Sequence, residues 1–409
     1  MRRLQLKSWW VFSTYFAEGF PYSIIAAIPA IMFRDMRVDL ADIGFLSLLS
    51  LPWVLKFLWA PFLDSYLTLR KWLLIIESAL TILFAFLAVS LFQSALAPIV
   101  FLLGIGAFLS ATHDISIDGF YMDALSDRSQ KAVIGVRVLA YRIALAFGSG
   151  VIVTIGTTVS WRMAYGVATV VMFLLFLFHL FFLPQPEPHS REKHAGFDSM
   201  KKAFLSYFNK DGIVVMLAFI IFLRAGEYML GLMKGPFFVD LGIKVHIGWI
   251  SAAVAIPFSI VGAIVGGAVI SKWSIGKTGI PIIIFQNITN LLYAALAFFF
   301  AGRVAANIAS PHLATPKMSA IVFSAIVTAI ESFSSGMGTA LLMIVLIRLC
   351  DKEFKAAHYA IGSGFMALSG TVLNSVGGVV AEHTGYGWFF VVSFIVAFPA
   401  IPAFYKRFR

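Results

Sequence analysis

The stretch PIVFLLGIGAFLSATHDISIDGFYM, from Pro98 to Met122, is apolar over more than the roughly 20 residues that carry a helix across a bilayer. Its hydrophobicity is continuous and does not alternate with period two. It therefore reads as a helical span and not as a strand of an outer-membrane barrel. Yet it holds His113, Asp114 and Asp118. A charge at the bilayer centre costs about 2.5–3.5 kcal/mol on insertion scales, so such residues face a bundle interior and mark function. Asp114 and Asp118 are four apart, which puts both carboxylates on one helix face. Two carboxylates in a low-dielectric site cannot both stay ionised cheaply, so a cation partner is needed, and Arg142, in the middle of the next apolar stretch, is the natural candidate.

Eleven further stretches share this character. Before it lie roughly Trp9–Phe33, Ile43–Phe62 and Trp72–Phe92, and after it Val133–Ile155 and Met163–Leu183. Beyond a polar interval come Ile213–Phe238, Ile247–Ile270, Pro281–Phe300, Met318–Leu346, Ala357–Val380 and Trp388–Phe404. The spacing predicts an all-α membrane protein with twelve transmembrane helices. Composition agrees: 60% of the 409 residues are hydrophobic and 12% charged, against about 45–50% and 25% in soluble domains. A soluble enzyme, a disordered chain, a disulfide scaffold and a nucleic-acid binder are excluded on these figures. Cys350 is the one cysteine, so no intramolecular disulfide and no cysteine metal site is available. No phosphate-binding loop, Ser-His-Asp or His-Glu-x-x-His pattern occurs, and no cofactor, metal or enzymatic activity is expected. Arg2, Arg3 and Lys7 precede a long first span without a small-residue cleavage site, which fits a membrane span better than a removed signal peptide.

The net charge of +11 is mostly topology. With the N-terminus placed in the cytoplasm, the cytoplasmic segments carry twenty of the 31 Lys and Arg residues. The opposite side has Arg34, Arg37, Arg162, Lys244, Arg303 and Lys317. That bias places both termini inside. The polar interval, residues 184–211, reads as a cytoplasmic linker between a half spanning 1–183 and a half spanning 212–409. A weak repeat supports the division. Ile43-Gly44-Phe45-Leu46-Ser47 opens span 2, Ile247-Gly248-Trp249-Ile250-Ser251 opens span 8, and Pro52 and Pro257 follow them. Two related six-helix halves are the plan of the major facilitator fold.

Other charges fall inside spans. Glu18 precedes Gly19-Phe20-Pro21, and the proline should bend span 1 near the bilayer middle. Glu18 joins Asp114 and Asp118 as a candidate proton carrier. Arg224, Glu227 and Lys234 form a stripe on span 7, and two cations with one acid leave positive charge for an anionic group of a substrate. Glu331 precedes Ser332-Phe333-Ser334-Ser335-Gly336-Met337-Gly338, small residues that permit close helix approach or a bend. Gln286, Asn287 and Asn290 in span 9 read as interhelical hydrogen bonds.

Several segments together carry a resemblance. They are Lys56-Phe57-Leu58-Trp59-Ala60-Pro61-Phe62-Leu63-Asp64, His113-Asp114-Ile115 with Asp118, and Val138-Leu139-Ala140-Tyr141-Arg142. Glu331 with Gly336-Met337-Gly338-Thr339-Ala340, and Phe16, Gly19 and Pro21, complete the set. Over nearly its whole length the chain resembles the AmpG-type muropeptide permeases of the major facilitator superfamily. The resemblance implies proton-driven import of an N-acetylglucosaminyl-anhydro-N-acetylmuramyl disaccharide, with or without peptide, across the bacterial inner membrane. The same sequence group also resembles siderophore importers and acetyl-CoA carriers. Lys56, Asp64, Asp114, Asp118, Tyr141, Arg142 and Glu331 match family positions. Of the superfamily loop after span 2, Asp64 and the pair Arg70-Lys71 remain, which implies gating or structural roles for them and for Lys56. His113, Glu18 and Lys234 depart from the family pattern. Tyr141, Arg142, Arg224, Glu227, Lys234 and Glu331 are the candidate substrate contacts. The expected partners are a small-molecule substrate, protons and the lipid bilayer, with a monomer as the working unit and no nucleic acid.

Overall fold

The structure, a computed structural model, describes residues 9–92, 95–185, 197–310, 317–351 and 355–408. Arg2, Arg3, Lys7, the first part of the linker and the Asp64 side chain lie outside the described residues. Every regular element among the described residues is helical. The first six spans are α1 (Trp9–Asp35), α2 (Leu40–Leu58), α3 (Leu69–Ser90), α4 (Leu96–Ala124), α5 (Val133–Thr158) and α6 (Trp161–Phe182). A short linker helix, α7 (Phe197–Phe208), follows. Then come α8 (Ile213–Asp240), α9 (Lys244–Trp273), α10 (Ile275–Phe299), α11 (Met318–Arg348) and α12 (Ile361–Phe408).

This makes eleven candidate spans where the hydropathy pattern predicts twelve. The difference arises in α12, whose 48 residues exceed the roughly 20 that one crossing needs. The helix is broken inside by Gly385, at φ 72° and ψ 165°. Only glycine takes that conformation without strain, so the break is written into the sequence.

The proline readings are visible as backbone irregularities. After Pro21, α1 passes into π-turns over Ser23–Ala27, where the Ile28 N–H bonds the Ser23 carbonyl at 3.1 Å. The two repeated segments both leave α-geometry before their prolines, in opposite senses. Leu46–Ser50 is a 3-10 turn before Pro52, and Ile250–Ala255 is a π-turn before Pro257.

The chain divides into two compact units. One comprises Met1–Met32, Leu49–Arg191 and Ile247–Ala252; the other comprises Phe33–Leu48, Glu192–His246 and Ala253–Arg409. In the first unit the core gathers Trp10, Val11, Tyr15, Leu73, Ile117 and Phe120. In the second, Phe219, Leu223, Ile283, Leu341, Val345 and Phe404 form the core. Lipid tails are as apolar as these side chains, so close packing and hydrogen bonds, more than water exclusion, hold such helices together.

Two close approaches in the second unit show this. The α2 segment lies against α12, where a Cβ on Gly44 would come within 2.7 Å of the Gly378 Cα. Ser47 Oγ and Ser375 Oγ share a hydrogen bond of 2.8 Å beside it. The small-residue run after Glu331 serves the α9–α11 crossing: a Cβ on Gly336 would meet the Ala263 amide nitrogen at 2.7 Å. Gly336→Leu is therefore expected to force α9 and α11 apart and to destabilise the fold by roughly 3 kcal/mol. Thermal unfolding of the purified protein checks this, and an unchanged midpoint would remove the close approach as a stabilising feature.

At the end of α7, a clasp ties the linker to the ends of neighbouring spans in the second unit. Lys210 Nζ lies 2.9 Å from Asp351 Oδ1 and also donates to the Leu349 carbonyl. Ser206 Oγ donates to Asp351 Oδ2 at 2.9 Å. The Lys210 ammonium holds the Asp351 carboxyl below its ordinary range. A lowered value means that the pairing supports docking above about pH 4 and fades as pH falls through that lowered value. Hydrogen exchange across α7, corrected for intrinsic rate, should rise on acidification in the native protein. In Asp351→Asn it should already be raised at neutral pH.

Candidate functional site

Four elements of the first unit bring charge to one place. Glu18 comes from α1, Lys56 from the end of α2, Asp114 and Asp118 from α4, and Arg137 from α5. Lys56 Nζ forms an ion pair with Asp114 Oδ2. The Glu18 carboxyl stands beside Asp114, and its Oε2 is buried without a hydrogen-bond partner. Neighbouring carboxyls in an apolar bundle cannot both stay ionised cheaply. Asp118 Oδ1 accepts from the Tyr15 hydroxyl at 2.8 Å and lies 2.8 Å from Arg137 Nη2. The Arg137 guanidinium also sits 4.4 Å from the Tyr15 ring centroid, a cation–π contact.

This corrects the pairing expected from sequence. Among the described residues, the cations on Asp114 and Asp118 are Lys56 and Arg137, and Arg142 is not one of them. Arg142 stands five positions beyond Arg137, about 140° away around α5, so the two cannot address the same acids. Tyr141 packs instead on α1, its ring 6.4 Å from that of Tyr22 and its Cδ2 3.0 Å from where a Cβ on Gly19 would sit. Tyr15 escaped the sequence reading, although it stands one helical turn before Glu18 and that spacing was a signal. Arg70 and Lys71 take no part in the cluster: Arg70 Nη2 donates to the Leu180 carbonyl, and the Lys71 N–H donates to Thr68 Oγ1.

A second buried group lies in the same unit. His179 Nδ1 is 2.6 Å from Glu77 Oε1, His113 Nε2 is 3.4 Å from the same oxygen, and Ser13 Oγ meets His179 Nε2 at 3.0 Å. His113 thus turns away from its neighbour Asp114, as the 100° step of a helix requires. Among the described residues no group of His, Cys, Asp or Glu is arranged to hold a metal ion.

The second unit has its own charged set. Arg224 Nη1 pairs with Glu227 Oε2 at 2.6 Å, and Gln286 Nε2 donates to that oxygen at 2.6 Å. Ser335 Oγ donates to Glu227 Oε1, and Arg224 Nη1 donates to Thr339 Oγ1 at 3.1 Å. Lys234 Nζ pairs with Glu331 Oε2 at 3.1 Å, where Ser332 Oγ also donates. The surplus positive charge expected of the α8 stripe is therefore absent. Glu331, arriving from α11, supplies the second acid and balances two cations with two carboxylates. Of the other α10 amides, Asn290 Nδ2 donates across to Ser393 Oγ at 3.1 Å, while Asn287 Nδ2 donates within its own helix to the Ile283 carbonyl at 2.8 Å.

Each set joins hydrogen-bonded carboxylates to cations inside an apolar helix bundle. The sequence model described as Major Facilitator Superfamily matches residues 11–310. The anhydromuropeptide permease of Escherichia coli K12 is 24% identical over 94% of this chain and 76% of its own length. A Rickettsia conorii protein carrying the name AmpG 4 is also 24% identical, over 96% of this chain and 94% of its own. In shape, the crystal structure of the nucleoside transporter NupG superposes with a TM-score of 0.72 at 15% identity, covering 98% of each chain. A bacterial homolog of the human lysosomal transporter Spinster gives 0.62 at 13% identity, over 99% of this chain and 96% of that one. At such identities these structures speak for the fold alone.

Proposed function

This chain belongs to the Major Facilitator Superfamily, and from that premise we propose that it is a proton-coupled importer of peptidoglycan-derived muropeptides. The observation that carries the coupling is the buried, unpartnered Glu18 carboxyl oxygen in the cluster that holds the Lys56–Asp114 ion pair. Such a cluster can take up one proton when open to one side and release it when open to the other. Proton loss leaves a second carboxylate for Lys56 and Arg137 to compensate, so the protonation state is tied to how α1, α2, α4 and α5 hold together. The two six-helix halves then give access to one side at a time. The substrate class rests on the Escherichia coli relative, whose name specifies an anhydromuropeptide. Tyr141, Arg142, Arg224, Glu227, Lys234 and Glu331 are the proposed substrate contacts, since sugar hydroxyls and a lactyl or peptide carboxylate need both donors and acceptors.

Uptake of labelled GlcNAc-anhydroMurNAc into proteoliposomes tests the reading. Accumulation driven by an inward proton gradient, abolished by collapsing it, is the expected result. Accumulation indifferent to both pH gradient and membrane potential would end the coupling proposal. Competition by a siderophore or acetyl-CoA, but by no sugar-peptide, would end the substrate proposal.

A further inference from the structure

Where α9 ends, α10 begins and α11 ends, the second unit holds a cavity of about 600 Å³. Lys272, Lys277 and Arg348 line it together with Ser271, Ser274 and Trp273. No carboxylate is among its described lining residues. The three cations are exposed, and among the described residues none of them joins an ion pair. Lys272 Nζ instead stands 4.8 Å from the Trp273 ring centroid. This sets them apart from the intramembrane cations Lys56, Arg137, Arg224 and Lys234, each of which has its acid within the bundle.

Position adds a second argument. The cavity sits at the ends of three spans, where a bilayer gives way to its headgroups. Trp273 is 51% exposed there, as an aromatic anchor at headgroup level is. Ser274 carries the chain between α9 and α10 with φ at 70°, a left-handed conformation rare outside glycine. The turn folds Lys272 and Lys277 back to the same opening, with Arg348 contributed from α11. Topology alone asks only that cations lie somewhere in a loop. It does not require three of them around one cavity free of acids.

We propose that this cavity is a binding site for the phosphodiester headgroup of an anionic phospholipid. Two or three cations suit one phosphate, or the paired phosphates of cardiolipin, and the Ser271 and Ser274 hydroxyls can donate to the remaining oxygens. Apolar Ile270 and Ile344 line the same cavity and offer contact to the start of an acyl chain.

Native mass spectrometry of the delipidated full-length protein tests this with three probes: cardiolipin, phosphatidylglycerol and phosphatidylcholine. Retention of the two anionic lipids and loss of phosphatidylcholine is expected. Removing one cation near a membrane surface should cost about fivefold in affinity, so Lys272→Gln/Lys277→Gln/Arg348→Gln should lose roughly a hundredfold. Lys201→Gln/Lys202→Gln, which removes two cations from α7, should leave retention unchanged. Should the triple variant fail to fold, Lys277→Gln and Arg348→Gln singly carry the test. Equal retention of phosphatidylcholine, or unaltered affinity in these variants, would overturn the proposal. So would displacement of the lipid by millimolar inorganic phosphate, which would make the cavity a site for free anions.

Discussion

Lys56→Met is expected to abolish uptake and to lower stability by roughly 2–4 kcal/mol. The Lys56 ammonium is the cation on Asp114, and Asp114 already shares a contact with Glu18. Removing it leaves two carboxyls crowded in an apolar bundle with no ion-pair partner of their own, Arg137 being engaged with Asp118. Breaking a buried pair from one side costs about 3–5 kcal/mol; the Lys56 side chain is 34% exposed, which trims that figure. The double variant Lys56→Met/Asp114→Asn removes both charges and should recover most of the stability, because a matched neutral pair leaves nothing uncompensated. Uptake should stay absent, since the group that exchanges the proton contact with Glu18 is gone. Thermal unfolding and proteoliposome uptake on the same preparations separate the two effects. Full uptake by Lys56→Met would mean that the pair serves packing only.

The spans were legible because length and continuous hydropathy are sufficient to define a crossing helix. Their ends in the structure fall within a few residues of the sequence reading, as with Met318–Arg348 against an expected Met318–Leu346. The one place where the count diverged is α12, where the expected stretches Ala357–Val380 and Trp388–Phe404 lie on either side of Gly385 but run as one helix of 48 residues. Asp114 and Asp118 were legible because an i,i+4 spacing inside one helix fixes a shared face. Their partners were not, since Lys56 lies 58 residues from Asp114, and sequence carries no signal of which helices are neighbours. Depth in the span favoured Arg142 over Arg137, whereas helix phase on α5 puts Arg137 on the acids. The same blindness made the α8 stripe look positively charged, because Glu331 lies 97 residues from Lys234. His179 was passed over for another reason. It sits in an unbroken apolar run and reads as filler until Glu77 is seen against it.

Glu18→Gln offers the sharpest separation of proton coupling from structure. Glutamine keeps the length of the side chain and can still donate to the Asp114 carboxylate, so Lys56, Asp114 and the packing of α1 on α4 should persist. What it cannot do is release a proton. Carriers of this kind can still exchange substrate for substrate across the membrane without net proton movement. Glu18→Gln should therefore retain counterflow exchange within about twofold of the unaltered protein and lose uphill accumulation. One proton moved down one pH unit supplies about 1.4 kcal/mol, a tenfold concentration ratio, and that ratio should fall to unity. Asp118→Asn gives the contrast. Asp118 is held by Arg137 and the Tyr15 hydroxyl, and its neutral form would loosen the Arg137 contact and slow exchange as well as accumulation. If Glu18→Gln still accumulated substrate tenfold against its gradient, the proton would have to travel through Asp114 and Asp118 alone, and Glu18 would be a fixed hydrogen-bond donor in the cluster.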